Sequence, residues 1–262
     1  MKPVVFWIES DEWYIEEARR CSMELHDVMP DVERVLFAVE ETDSEGFDRV
    51  ALLPPRIARY WFLDSIVYFG MAFDLLEDYS VCLYLDSDLN FLAPFPELFR
   101  MAERFDVVAA MGSRRVTTPT VDDLPVTFPE YELGVILFRR NDVVRRLFDK
   151  WRWLHFNNHN VYGNNDQGSF REAVWNTPEL HIDRIPTEYA CRWPFGVFMS
   201  HEVKILHGRE EVDRNLHPEA CSLGDVKNIV NEHTEMRVWS PRAKRWLDGV
   251  IPKEGWPQDR TI

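Results

Sequence analysis

The sequence is poor in cysteine, and the cysteines that it has are not arranged in pairs. Four cysteines are spread over 262 residues. No two of them form a CxxC motif, so neither a zinc site built on such pairs nor a thioredoxin-like redox motif is predicted. We expect buried free thiols and a reducing compartment, which indicates the cytoplasm. The four positions are Cys21, Cys82, Cys191 and Cys221.

Long apolar runs and an excess of basic residues are missing as well. No segment has about 18 consecutive apolar residues, so we expect a soluble protein without an integral membrane segment. Thirty Lys and Arg stand against 45 Asp and Glu, which gives a net charge of −15. Because so acidic a surface repels phosphate backbones, no nucleic-acid partner is expected. An anionic small molecule could bind such a protein only where a metal ion or local arginines reverse the negative charge of the surface.

The composition is that of a globular protein, with 45% hydrophobic and 29% charged residues. A chain of this length has a large enough core to fold without disulfides. No internal repeat, low-complexity tract or linker divides it. We therefore predict one domain over residues 1–262, in which residues 210–262 form a less regular C-terminal extension.

The first forty residues read as a strand, a helix and a second strand. Residues 4–8 are apolar on both faces, as in a buried parallel strand. Ser10 is a suitable cap for the helix that follows, Pro30 ends that helix, and residues 35–39 form the next strand. Such a β-α-β opening predicts an α/β fold with a mostly parallel central sheet flanked by helices. The apolar stripe of the helix consists of Ile15, Ala18, Cys21, Leu25 and Val28.

Further elements follow the same reasoning. Residues 56–76 are predicted to be helical with a break near Gly70, and Asn141 is predicted to cap a strongly amphipathic helix. We interpret His155 and His159 as polar surface, because no Glu of a zinc-protease motif accompanies them. Further strands are predicted at residues 81–85, 107–111 and 133–138, near residue 182, and at residues 203–206.

The strongest chemical signal is Asp86-Ser87-Asp88, directly after the strand at residues 81–85. Residues two apart in a strand share a face, so both carboxylates point the same way at the end of the strand. Open α/β sheets bind ligands at the carboxyl ends of their strands. Hard oxygen ligands suit Mg²⁺ or Mn²⁺ together with substrate phosphates. On these residues alone, a solvated turn is an equally good interpretation, since Asp and Ser favour turns.

Around this motif the chain resembles family 8 and related GT-A glycosyltransferases, a group that includes glycogenin and bacterial lipopolysaccharide galactosyltransferases. The motif and its surroundings, from Leu83 to Leu89 and on through Pro94 to Glu97-Leu98-Phe99, are similar to the metal motif of that group. Other segments resemble the family in the same order along residues 4–210. They are Arg56-Ile57-Ala58-Arg59, Leu133-Gly134-Val135-Ile136-Leu137-Phe138-Arg139, Asn165-Asp166-Gln167 and Leu206-His207-Gly208-Arg209.

The resemblance implies a GT-A fold and a metal-dependent enzyme that transfers a sugar, with retention, from a nucleotide donor. The donor would be UDP-linked, and the acceptor a carbohydrate, lipid or protein. Mn²⁺ or Mg²⁺ would be held by Asp86, Asp88 and His207, and Asp166 and Gln167 would lie at the reacting sugar. The residues expected to bind the nucleotide-sugar are Ile8, Arg59, Asp86, Ser87, Asn165 and Arg209.

Two other functions remain open. The chain has Glu132-Leu133 where the family usually has Asn and a small residue, so Glu132 is either a compensating acidic group or the mark of a different acceptor. Because of that departure, a non-catalytic nucleotide- or sugar-binding protein with the same fold is one alternative. A phosphatase of the haloacid dehalogenase type also uses Asp-x-Asp after a strand. In that class the motif normally lies near the N-terminus, whereas here it begins at residue 86.

Overall fold

A computed structural model describes residues 2–56, 61–111, 118–163, 165–195, 197–210, 222–232, 237–240 and 245–247. Its strands are β1 (Pro3–Glu9), β2 (Glu33–Ala38), β3 (Arg49–Leu52), β4 (Val81–Leu85), β5 (Leu89–Phe91), β6 (Val107–Met111), β7 (Tyr131–Arg139), β8 (Ile182–Ile185), β9 (Cys191–Arg192), β10 (Val197–Met199), β11 (Ile205–His207), β12 (Arg237–Ser240) and β13 (Arg245–Leu247). Its helices are α1 (Glu12–Val28), α2 (Trp61–Leu75), α3 (Pro96–Arg100), α4 (Asp142–Asn157), α5 (His159–Tyr162), α6 (Asp166–Trp175) and α7 (Leu223–Ile229).

Seven of the described strands form the central sheet, in the order β3-β2-β1-β4-β7-β6-β8. The pairs β1–β2, β1–β4, β2–β3 and β6–β8 are parallel. Strand β7 runs antiparallel to both of its neighbours, β4 and β6. The predicted α/β architecture with a mostly parallel central sheet is therefore confirmed, and the prediction had not included β3.

Helices cover both faces of this sheet, which explains why β1 is apolar from Pro3 to Ile8. The side chains of Val4, Phe6 and Ile8 pack into the core under α2, α4 and α6. Those of Val5 and Trp7 pack into the opposite core under α1. Alternate residues of a strand point to opposite faces, so a strand with helices on both sides needs an unbroken apolar run. The predicted apolar stripe of α1 is buried except for Val28, which is partly exposed.

The helix ends are set by local hydrogen bonds. Asn141 caps α4 as predicted, because its side-chain oxygen accepts a bond from the backbone N–H of Val144 at 2.9 Å. The prediction that Ser10 caps α1 is wrong, since the capping side chain is that of Asp11. The break predicted near Gly70 is also wrong. Helix α2 continues through it because buried Phe69 and Phe73 on either side outweigh the roughly 1 kcal/mol that a helical glycine costs.

Two smaller sheets lie beside the central one. The order β5-β11-β9 forms one of them, and β10-β12-β13 forms the other, partly within the predicted extension at residues 210–262. A third apolar core, which includes Cys191, Trp193, Leu206 and Val226, packs β9 and β11 against α7. Within the described part of the chain, no helix has the length and apolar character needed to cross a membrane.

The cysteines and histidines give two confirmations and one correction. Cys21, Cys82 and Cys191 are buried thiols, as predicted, and Cys221 lies outside the described residues. The prediction that His155 is polar surface is wrong, because it is fully buried. Its Nδ1 lies 2.7 Å from Ser169 Oγ, so α6 supplies a polar partner that local sequence does not reveal. His159 is exposed as predicted.

Candidate functional site

The Asp86-Ser87-Asp88 motif opens into a cavity at the carboxyl ends of β1 and β4. Strand β4 ends at Leu85, and the chain turns through the motif into β5, which leaves the central sheet to pair with β11. The cavity has a volume of about 320 Å³ and is lined by side chains from both faces of the sheet. This is where parallel α/β sheets place their ligands, because the chain reverses there and leaves a crevice.

Three potential metal ligands converge at the base of the cavity. His207 Nε2 lies 3.3 Å from Asp88 Oδ1 and 3.7 Å from Asp86 Oδ2, and one ligand atom from each residue lies within 4.8 Å of the other two. The pairing of His207 with Leu89 across β11 and β5 holds the imidazole beside the motif. A hydrogen bond of 3.0 Å from the N–H of Gly208 to the carbonyl of Asp88 holds the imidazole there as well.

The polar atoms of this cluster are buried without the partners they need. Asp88 Oδ1 and both ring nitrogens of His207 have no hydrogen-bond partner in the described structure. A buried polar atom left unpaired costs about 1–3 kcal/mol, so such groups are rare unless a ligand satisfies them. Two carboxylates and one imidazole are a suitable ligand set for Mn²⁺ or Mg²⁺, with remaining positions left for substrate oxygens. The residues present therefore fit a divalent ion.

Gly134 allows the cluster to form. Its carbonyl accepts a bond from the N–H of Asp86 at 2.9 Å. A Cβ at this position would lie 2.4 Å from His207 Cε1 and 2.7 Å from Asp86 Oδ2, too close for any side chain. The register of β7 against β6 shifts here, from Ala109 opposite Ile136 to Ala110 opposite Glu132, and this irregularity carries the glycine into the site. A lone glycine inside a strand is a known sign of close approach, so sequence analysis could have found it.

The electrostatic environment shifts the pKa values of the two motif carboxylates in opposite directions. Burial and the neighbouring charge of Asp88 raise the pKa of Asp86, whose side chain is 39% exposed and accepts a bond from the Tyr84 hydroxyl at 2.8 Å. Burial also acts to raise the pKa of Asp88. There, however, His207, Arg209 and Arg192 together outweigh burial and hold the pKa well below its usual range. Asp88 is thus a permanent anion, as a metal ligand should be.

Two further carboxyl groups of the cavity have raised pKa values. Burial and then the charge of Asp86 raise the pKa of Asp166 to about 7. Burial and then Asp86 also raise the pKa of Glu9 well above its usual range. Sequence analysis had not identified Glu9, because a single acidic residue at the end of a strand is unremarkable without its neighbours. Both groups are crowded by negative charge, which a bound cation would relieve.

Arg209 closes the side of the cavity formed by α1. Its Nη2 donates to Ser87 Oγ at 3.3 Å, and its Nε donates to a carboxylate oxygen of Glu17 at 2.7 Å. The guanidinium group lies 5.2 Å from the ring centre of Tyr14 and 5.4 Å from that of Trp13, within the range of cation–π contact. Predicted residues Ser87 and Arg209 are thereby brought together at the cavity wall.

Arg192 is a second arginine at the cavity, and sequence analysis had missed it. It pairs in register with His207 across the parallel strands β9 and β11, so both side chains lie on the same face of the small sheet. Its Nε lies 3.3 Å from Glu132 Oε2, and its Nη1 lies 3.9 Å from Asp88 Oδ2. Glu132 is buried beside Arg192.

Asp166 and Gln167 line the cavity at the start of α6. Asn165 does not line it; its side chain caps α6 by accepting a bond from the N–H of Gln167 at 2.8 Å. Gln167 Oε1 is buried and has no hydrogen-bond partner in the described part of the chain. The Trp151 indole donates to Ser169 Oγ at 3.1 Å and to the Asp166 carbonyl at 3.2 Å, which anchors this end of the helix.

Two predicted site residues remain, of which one lines the cavity and the other lies outside the described residues. Ile8 is buried and lines the cavity at the end of β1, next to Glu9. Arg59 lies outside the described residues. The nearby Arg56 pairs with buried Asp64 at 3.2 Å and is not among the described residues that line the cavity.

Comparison with known proteins adds no family assignment. Neither the scan against protein-family models nor the search of curated proteins found a match to this chain. The functional argument therefore depends on the cluster of Asp86, Asp88 and His207 and on the cavity around it.

Proposed function

We propose that this chain is a metal-dependent glycosyltransferase of the GT-A type, similar to family 8. It would transfer a sugar from a nucleoside-diphosphate donor, UDP-linked by the resemblance, to a carbohydrate, lipid or protein acceptor. The observation that carries this proposal is that Asp86, Asp88 and His207 share one cavity with Asp166 and Gln167. A metal cluster alone would suit many functions, but a carboxyl and an amide group in the same cavity add the kind of polar groups that bind sugar hydroxyls.

The charge of the cavity supports a metal-bound anionic substrate. Five carboxylates among its lining residues face only two guanidinium groups. A nucleotide-sugar would be repelled by so much negative charge unless a divalent ion entered first. The carboxylates are those of Glu9, Asp86, Asp88, Glu132 and Asp166, and the guanidinium groups are those of Arg192 and Arg209.

In this proposal Asp86, Asp88 and His207 hold Mn²⁺ or Mg²⁺. When bound, the ion supplies Lewis-acid stabilisation of the departing nucleoside diphosphate. Arg209 and Ser87 lie beside the ligand set and donate hydrogen bonds to phosphate or ribose oxygens. Ile8 and Tyr14 both line the same cavity and provide apolar surface, which suits the base.

Asp166 and Gln167 are proposed to bind the sugar on the opposite side. The buried, unpaired Oε1 of Gln167 is an acceptor for a sugar hydroxyl, and the Asp166 carboxyl group is another polar group within the cavity. Retention at the anomeric carbon is part of the proposal through the resemblance.

Calorimetric titration tests the proposal directly. UDP is titrated into the protein with Mn²⁺ and again with EDTA, using the parent, Asp88→Asn and the control Asp123→Asn. Asp123 is exposed, so the control makes the same change in charge away from the cavity. We expect metal-dependent UDP binding by the parent and by Asp123→Asn. In Asp88→Asn, we expect a loss of at least about a hundredfold, since removing a ligand exceeds the effect of removing its outer-shell partners.

Other results would lead to other conclusions. Binding of GDP but not UDP would change the donor base and leave the reaction class intact. Failure of every nucleoside diphosphate to bind in Mn²⁺ would refute the proposed function. Metal-dependent binding with no hydrolysis of any nucleotide-sugar and no transfer to any acceptor would favour a non-catalytic binding protein. Metal-dependent hydrolysis of p-nitrophenyl phosphate without nucleotide binding would favour the phosphatase alternative.

A further inference from the structure

Arg192 lies between a buried carboxylate and a metal ligand. Its Nε lies 3.3 Å from Glu132 Oε2, whereas its Nη1 lies 3.9 Å from Asp88 Oδ2. Both carboxylates are buried, so each interacts with the guanidinium group more strongly than a surface pair would. The arginine is therefore shared between Glu132 and the proposed metal site.

The geometry of this triad leaves hydrogen-bonding capacity on Arg192. Its side chain is 22% exposed and lines the cavity. Its Nη1 lies 3.9 Å from Asp88 Oδ2, beyond hydrogen-bonding distance, so this donor is available to another acceptor. A guanidinium group has five N–H donors, which suit the oxygens of a phosphate.

Asp88 would compete for the same arginine if Glu132 were neutral. An arginine that closed onto Asp88 would neutralise that carboxylate and oppose the binding of a cation there. Glu132 provides an alternative carboxylate on the far side of the guanidinium group. The pair thus keeps a positive charge beside the metal site while leaving Asp88 free for the metal.

We propose that Arg192 binds the phosphate groups of the donor beside the metal ion, and that Glu132 is the positioning residue that holds Arg192 away from Asp88. This inference deepens the proposed function and rests on it. It assigns to Glu132 the role of setting metal affinity through Arg192. It also predicts opposite effects of Arg192 on the two ligands, because one guanidinium group repels a cation and attracts an anion.

The experiment measures three affinities on five proteins. Binding of Mn²⁺ alone and binding of UDP at saturating Mn²⁺ are followed by calorimetry for the parent, Arg192→Gln, Glu132→Gln and the double variant. Arg146→Gln serves as the control, since it removes the same charge from an exposed pair with Glu179 away from the cavity. Inorganic pyrophosphate is titrated in parallel with UDP, as a probe of phosphate binding that does not require a base.

The expected changes differ in sign. Arg192→Gln should bind Mn²⁺ about tenfold more tightly, because a positive charge beside Asp88 is gone. Glu132→Gln should bind Mn²⁺ about tenfold more weakly, because Arg192 is then released to Asp88. The double variant should bind Mn²⁺ as tightly as Arg192→Gln does, because Glu132 acts through Arg192 and has nothing left to position. Arg192→Gln should bind UDP and pyrophosphate at least about tenfold more weakly, since a charged hydrogen bond is lost.

The outcomes separate this inference from the proposed function. If Arg192→Gln binds Mn²⁺ and UDP both more weakly, Arg192 is structural and the inference is overturned. Unchanged UDP and pyrophosphate affinity in Arg192→Gln would overturn it as well. If the parent binds pyrophosphate with Mn²⁺ but no nucleoside diphosphate, the proposed function fails while the pyrophosphate series still decides the role of Arg192. If the parent binds neither anion, both are refuted.

Discussion

Substitution of Gly134 by alanine is the most selective perturbation of the proposed metal centre. The added Cβ would lie 2.4 Å from His207 Cε1 and 2.7 Å from Asp86 Oδ2. Carbon atoms in contact are normally about 3.5–4.0 Å apart, so the imidazole or the strand has to move by about 1 Å. The backbone of Gly134 is not among the positive-φ glycines of the described chain. The expected effect is therefore a collision with two metal ligands and no strain within the residue.

The magnitudes follow from that collision. Overpacking a close-packed site costs about 1–3 kcal/mol of stability, which a folded protein of this size tolerates. A displacement of about 1 Å is large for metal coordination, so we expect Mn²⁺ affinity to fall by about a hundredfold. The prediction is that Gly134→Ala folds, unfolds at a somewhat lower temperature and binds Mn²⁺ poorly. Calorimetry with Mn²⁺ and thermal unfolding followed by circular dichroism measure the two effects.

Gly70→Ala is the matched control for this substitution. A Cβ at Gly70 meets nothing within 4 Å, and the residue lies inside α2. Alanine there should leave Mn²⁺ affinity unchanged and stabilise the helix by up to about 1 kcal/mol. Parent-like Mn²⁺ affinity in Gly134→Ala would refute the reasoning, because the same three ligand atoms could then not be the site.

Two further predictions concern buried groups that do not line the cavity. Burial, and then the nearby charge of His159, lower the pKa of His155 to about 4, against about 6.5 in the unfolded chain. Stability from this group is therefore complete above about pH 6.5 and is lost as the pH falls toward about 4. Between about pH 7.5 and pH 5, urea unfolding should show that the parent loses about 2 kcal/mol more of its unfolding free energy than His155→Asn does, and an equal pH dependence in both proteins would contradict this. Burial also raises the pKa values of the Cys21 and Cys82 thiols, that of Cys82 to about 12. In a Cys221→Ser background we expect a disulfide reagent to label no thiol until the protein unfolds, so rapid native labelling would show that a described cysteine is accessible.

Much of the fold could be predicted because its causes are local. The unbroken apolar run of β1, the apolar stripe of α1 and the Asn141 cap of α4 each depend on residues within a few positions of one another. The break wrongly placed at Gly70 has the opposite origin. A local propensity of about 1 kcal/mol was outweighed by aromatic side chains that pack onto the sheet, and such packing is not visible in the sequence near the glycine.

The candidate site likewise contains some residues that local sequence reveals and others that it does not. Asp86 and Asp88 stand out in the sequence because an acidic pair directly after a buried strand is locally recognisable. Glu9 and Arg192 carry no such signal, and Glu132 was noticed only as a departure from a family pattern. Their roles depend on which strands pair. The register of β9 with β11 places Arg192 beside His207, and the irregular pairing of β7 with β6 places Glu132 and Gly134 at the same cavity.

Local sequence was enough to predict an α/β chain with a mostly parallel sheet and an acidic motif at the end of a central strand, because hydrophobic periodicity, capping and turn chemistry act over a few residues. The position of His207 beside Asp88 was implied by the family resemblance and is present in the structure. The antiparallel direction of β7 became visible only in the folded chain. The burial of His155 and the sharing of Arg192 between two carboxylates likewise became visible only there. Those features depend on contacts between distant segments, whose free energy is set by the packing of the whole domain.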